Sequence, residues 1–375
     1  MLLFATPPAA RATRPVGPHR ETIAQRLARA ATPEDLAVRT LLENWFVHLP
    51  EPARSDIRSR FWERDRRLSL AAFWELYLHE LLRRLGYQLM VHPATRESGP
   101  RPDFLAIRNS EAFFVEALIH AHSSEAWRAE RRLYPILDVL HDVRSAGRTL
   151  RIVRAECGQG TPPLRELREA LRAWLDRLSQ ADAVPPQFVW RRGGWALVFE
   201  ALPAESDAPG NGLSLVPTPP HAPTARALTA KLRAKARRYR ALRFPLVLAL
   251  CSSESIPLET LTAALRSLGT DLPTPVSGCL VAVGLDPWTI ARTPLHLFTP
   301  DPQHPVPAGL VDTLARAGSA VQVPGYLRIE SPWALFGLSP AWPGEAPALH
   351  RERTAEAVSA GAADTGVGPP PCDAS

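Results

Sequence analysis

An α/β fold is predicted by three patterns in this chain. Apolar residues at helical spacing alternate with apolar runs of strand length. One helix-patterned segment, 69–85, leads directly into three strand-like runs. A basic helix-patterned segment, 224–243, then leads into a further apolar run, FPLVLALCS (244–252).

The elements follow in order. Residues 1–20 are rich in Pro, Ala and Arg and are expected to be disordered. A helical region is expected over 21–68, with 21–30 and 32–49 as its clearest segments. Thr32-Pro33-Glu34-Asp35 supplies a helix start: a Thr cap, Pro at the first position and acids in the first turn. Within 69–85, Phe73, Leu76, Tyr77, Leu81 and Leu85 recur at helical spacing, and Gly86 follows as the stop. The three strand-like runs are GYQLMVHP (86–93), RPDFLAI (101–107) and EAFFVEALI (111–119). Helical patterning resumes over 124–146. TLRIVRAEC (149–157) reads as a strand, 163–178 as a helix, and QFVWR and WALVFEAL as hairpin arms turned at Gly193-Gly194. Residues 69–202 thus form an α/β core in which 149–202 is a candidate insertion. The Pro/Gly/Ser-rich stretch 203–223 is a loop or linker. Residues 224–342 hold the basic helix, strand 244–252, a helix over 258–268 and strand GCLVAVGL (278–285), and 343–375 has little that could pack.

A chain of 375 residues that is 45% hydrophobic and 22% charged can build a real core. Its net charge of +6 makes a polyanionic partner more plausible than average. Arginine carries almost all of the positive charge; the only two lysines are Lys231 and Lys235. The four cysteines form no CxxC pair, which argues against a zinc site and for buried thiols in a reducing cytoplasm. No apolar run is long enough to span a bilayer, and MLLFATPPAA lacks the basic start of a signal peptide, so a cytoplasmic location is expected. GxxxxGK[ST], a strand-linked GxGxxG, GxSxG and HExxH are all absent, which removes the common NTPase, dinucleotide-binding, serine-hydrolase and metalloprotease readings.

Asp103 opens the second strand-like run after Pro102, and Glu116 lies near the end of the third. Two carboxylates on adjacent strands can share a hard divalent cation such as Mg²⁺ or Mn²⁺, which prefers oxygen ligands. A cation held this way polarises a phosphodiester and lowers the pKa of an attacking water. The plainer alternative is that Asp103 caps a turn and Glu116 faces solvent from an edge strand. Against it, Glu116 is embedded in FFVEALI, where an unpaired buried carboxylate is costly.

FWELYLHELLRRLGY (73–87), RPDF (101–104) and FFVEA (113–117) together resemble the PD-(D/E)XK nuclease superfamily. The resemblance covers 70–120 well and 224–252 more loosely. It implies a restriction-endonuclease-like core of helix, three strands, helix and strand, with N-terminal helices and additional α/β elements around it. It also implies Mg²⁺-dependent hydrolysis of DNA, with Asp103 and Glu116 as metal ligands and Glu75 as the auxiliary acid; Glu80 is a second candidate for that place. The superfamily sets a lysine two residues beyond the second acid, on the same strand face, and here that residue is Leu118.

Lys235 is the expected replacement. The two lysines fall four apart on one helix, sharing a face with Tyr239, and an ammonium is a compact point charge suited to a water-lined site. Segment 224–243 carries Arg226, Lys231, Arg233, Lys235, Arg237, Arg238, Arg240 and Arg243 and no acid, so it could lie along phosphates, with Arg131 and Arg132 adding to it. His120 and His122 continue the Glu116 strand face and are more simply polar residues at a strand end than ligands. The alternative to a nuclease is a catalytically inactive nucleic-acid-binding protein that retains the nuclease-like fold. A third reading is an interaction module working through its N-terminal helices. A homodimer is compatible with either of the first two.

Overall fold

The structure is a computed structural model. It describes residues 1–4, 20–95, 99–120, 124–143, 148–178, 185–203, 214–215, 224–239, 242–253, 256–269, 276–300 and 304–344. The segments expected to be disordered or loop-like, 1–20, 203–223 and 343–375, fall mostly outside these residues.

Four helices open the chain: α1 (Ile23–Arg29), α2 (Pro33–Phe46), α3 (Glu51–Phe61) and α4 (Arg66–Arg84). Thr22 and Gln25 form a reciprocal capping box on α1, and Thr32 caps α2 through the Asp35 amide. The strands β1 (Gln88–Val91), β2 (Phe104–Arg108) and β3 (Glu111–His120) follow. Next come α5 (Ser124–Asp142), β4 (Arg148–Glu156), α6 (Leu164–Leu175), β5 (Gln187–Arg192), β6 (Trp195–Pro203) and β7 (Ser214–Leu215). The chain continues through α7 (Ala225–Ala236), a single 3₁₀ turn at Arg237–Tyr239, β8 (Leu246–Ser252), α8 (Leu258–Gly269) and β9 (Val276–Val283). It closes with β10 (Leu295–Phe298), α9 (Ala308–Gly318), β11 (Ala320–Val323), β12 (Tyr326–Ile329) and α10 (Pro332–Leu335).

The protein is a mixed α/β structure around an eight-stranded sheet in the order β1-β2-β3-β8-β9-β10-β12-β11. Its central strands β3, β8 and β9 are parallel and its flanks antiparallel. Parallel strands need cover on both faces, and strand alternation provides it. Val247, Ala249 and Cys251 of β8 pack with α1–α4 on one face; Leu246, Leu248 and Leu250 pack with α7 and α8 on the other. The helix α4 is buried through its middle turns beneath the first face, where the Trp74 indole donates to the Ala249 carbonyl at 2.9 Å. Gly86, at φ +86°, turns the chain out of α4 in a conformation that side-chain-bearing residues rarely adopt.

Several boundaries differ from those the sequence predicts. The basic helix ends at Ala236, because its last turn tightens to 3₁₀ geometry, and does not reach Arg243. The best-patterned helix begins earlier than 69, at Arg66, because Asp65 caps it. Asp103 immediately precedes β2 and does not form its first residue. The inserted unit is wider than 149–202: α5 to β7 build a separate four-stranded sheet, β5-β6-β4-β7, with its own core of Ile136, Leu140, Leu167, Leu171, Trp195 and Phe199.

Candidate carboxylate site at the start of β2

In the β2/β3 register Phe104 faces Val115, so one further step sets Asp103 opposite Glu116. Alternation then turns both residues toward the face covered by α7. Leu105, Phe114 and Leu118 share that side and pack against Leu228, Leu232 and Ala236 of α7.

Asp103 is fixed at both its backbone and its side chain. Its carbonyl accepts from the His92 amide at 2.9 Å, and its Oδ2 accepts from the Ala117 amide at 2.7 Å. Burial, and then the charges of Glu116 and Glu75, push its carboxyl up to about 8; the Ala117 amide and Lys235 oppose this less strongly. The repulsion from the neighbouring carboxylates thus favours the protonated form of Asp103, and a divalent cation at this position would relieve it.

Glu116 is only 3% exposed. Its Oε1 is ion-paired to Lys235 Nζ, and its Oε2 accepts from the Tyr239 hydroxyl at 2.6 Å. Lys235 reaches it from the last turn of α7 with its side chain 27% exposed, so the ammonium bridges the buried carboxylate and solvent. Leu118, at the position of the superfamily lysine, is instead packed in the apolar layer under α7. Burying a leucine there is worth about 1.5–3 kcal/mol.

Glu75 lies near enough to raise the Asp103 pKa, but both of its oxygens accept from Arg60 of α3, at 2.7 and 2.6 Å. Arg60 also bonds Asp56, and Asp56, Glu75 and His92 each offer a ligand atom within 4.8 Å of the others. The expected auxiliary acid is thus engaged by an internal guanidinium. Glu80 is buried and held by His48, Arg83 and Arg84.

The basic residues divide. Lys231 Nζ donates to the Ile119 carbonyl at 2.7 Å and Arg233 to the Ser267 carbonyl, so both also tie α7 to its neighbours. Arg226, Arg237, Arg238 and Arg243 are exposed, as are Arg131 and Arg132, the last bonded to Gln159 at 3.2 Å. Arg240 and His122 lie outside the described residues, and His120 is half-buried at the end of β3.

The sequence missed Tyr239 as a partner of Glu116, together with Arg60, Asp56 and His92. Tyr239 carried a usable signal, since it falls four residues after Lys235 on one face. Arg60 carried none among so many arginines.

No family model, no curated protein and no solved structure matches this chain. No helix among the described residues is long and apolar enough to cross a membrane.

Proposed function

We propose that the protein is a Mg²⁺-dependent nuclease, also served by Mn²⁺, that hydrolyses DNA phosphodiesters at the Asp103/Glu116 pair. One observation carries the reading: in a chain with two lysines, Lys235 arrives from a different element at the carboxylate beside Asp103. The order α4, β1, β2, β3, α7, β8, with β8 parallel to β3, is also the order that the superfamily resemblance implies, and it supports a restriction-endonuclease-like core.

The donor set fits a hard cation. It consists of carboxylate oxygens, and Asp103 has one oxygen that accepts no hydrogen bond from the described residues. When bound, the cation would polarise the phosphodiester and supply a more acidic water. Asp103 and Glu116 would hold the ion, Asp103 in its ionised form. The Lys235 ammonium sits where it can orient a water and offset charge building on the phosphate oxygens. Arg237 and Arg238, exposed just beyond α7, offer further cations to the strand. Glu75 contributes through its charge while Arg60 holds it.

The competing reading, a nucleic-acid-binding protein without catalysis, is favoured by one feature: both Glu116 oxygens are already taken by internal donors. Cleavage of single-stranded, linear duplex and nicked DNA with Mg²⁺ or Mn²⁺ separates the two. The nuclease reading expects cleavage that is lost in Asp103→Ala and Lys235→Ala. Salt-sensitive DNA binding with no cleavage of any substrate supports the non-catalytic protein, and cleavage that survives Asp103→Ala sinks the proposed site.

A further inference from the structure

We infer that Tyr239 is a positioning residue, which fixes the Glu116 carboxylate so that it and Asp103 present a preformed pair to a divalent cation. The inference rests on the proposed metal site and adds to it a residue outside the superfamily pattern.

A glutamate side chain has three rotatable bonds, and an ion pair through one oxygen leaves the carboxylate free to twist. Lys235 holds Oε1 from a flexible, partly exposed stem. The Tyr239 hydroxyl holds Oε2 at 2.6 Å from a ring that is 2% exposed and packed in the apolar layer with Leu228, Leu232 and Ala236. Two donors of different rigidity thus set the plane of one carboxylate, with the rigid one supplied by the tyrosine.

The hydroxyl also lies 3.3 Å from the Arg101 carbonyl, two residues before Asp103. Tyr239 therefore touches both the segment that delivers Asp103 and the side chain of Glu116. With one proton to donate, it favours the nearer and charged acceptor. Its ring follows Leu232 and Ala236 on the buried side of α7, and the 3₁₀ turn at Arg237–Tyr239 keeps it on that side. Burial, and then the Glu116 contact, push the phenol up.

The test is calorimetric titration of the full chain with Mn²⁺ in the absence of DNA, with thermal unfolding measured beside it. Wild type should bind Mn²⁺ and Asp103→Asn should not. Tyr239→Phe, which removes one oxygen atom, should bind roughly 10–100-fold more weakly. Its DNA cleavage should return toward the wild-type rate at saturating Mn²⁺, a split that general loosening does not produce. In a Glu116→Gln background the same substitution should change Mn²⁺ affinity little, because the coupling runs through that carboxylate.

Unchanged Mn²⁺ affinity in Tyr239→Phe, or an equal loss in both backgrounds, overturns the positioning role while leaving the metal site standing. Wild-type protein that binds no Mn²⁺, or binds it independently of Asp103, removes the metal site and this inference together. Should Tyr239→Phe fail to fold, the full chain carrying 3-fluorotyrosine keeps the ring and makes a stronger donor. Its Mn²⁺ affinity should then differ measurably from that of the natural chain, and an unchanged value overturns the role.

Discussion

Asp103 concentrates the electrostatics of the site in one carboxyl group. Its folded pKa of about 8 lies above the ordinary aspartate value, so between roughly pH 4 and pH 8 the folded protein binds one proton that the unfolded chain has released. Its contribution to stability is therefore full at acid pH and falls as pH rises through about 8. Asp103→Asn, which carries no charge to repel Glu116 and Glu75, should flatten that decline and unfold at a higher temperature than wild type at pH 8.5. Melting curves across pH 5–9 without divalent cation check this, and a wild-type profile no steeper than that of the variant contradicts it. Lys235 makes a second prediction at this scale. Lys235→Ala leaves Glu116 buried beside Tyr239 alone, a loss near the lower end of about 3–5 kcal/mol given the partial exposure of the lysine. Denaturant titration measures it. Lys235→Arg keeps the charge, so it should recover most of that stability while cleaving DNA more slowly, since a guanidinium fork does not place a single donor as an ammonium does.

At the scale of elements, β3 and α7 would, under the proposed function, divide a job that one strand performs in the superfamily pattern. Leu118 lies under α7 in the apolar layer, so the strand position that would carry the motif lysine has no room for a charge. Leu118→Lys should therefore destabilise the protein by several kcal/mol, on the order of an unpaired buried charge, and should not rescue cleavage in Lys235→Ala. Equilibrium unfolding and a DNA cleavage assay on the double variant test both parts. The same elements explain what the sequence made legible. Lys235 stood out because an arginine-dominated chain spends both its lysines on one helix. Asp103 and Glu116 stood out because two strand patterns fixed their parity. The helix α3 did not stand out: only Ala53, Ile57 and Phe61 are buried, too narrow a stripe to read, and with it Arg60 went unseen. The last turn of α7 could not be read either, since a switch to 3₁₀ geometry leaves no mark in residue spacing.

For the whole molecule, the inserted unit from α5 to β7 has a sheet and an apolar core separate from those that carry the carboxylates. Damage to its core should stay local. Phe199→Ala, at a fully buried position, should cost the inserted unit about 3–5 kcal/mol, yet leave Mn²⁺ affinity at Asp103 within a few-fold of wild type. Calorimetric titration beside hydrogen exchange of the two units measures the separation, and joint loss of both contradicts it. The sequence left α5 outside the candidate insertion 149–202, although its apolar face packs in the core of the second sheet, because it resembles any amphipathic helix until its partner sheet is known. The central claim, that the main sheet holds a metal-dependent nuclease site, is met most directly by one assay. Purified protein is incubated with nicked and single-stranded DNA over a Mg²⁺ series, with Asp103→Asn run in parallel. The account predicts cleavage that rises with Mg²⁺ and is lost in Asp103→Asn while that variant remains folded; equal cleavage by both proteins, or none by either, contradicts it.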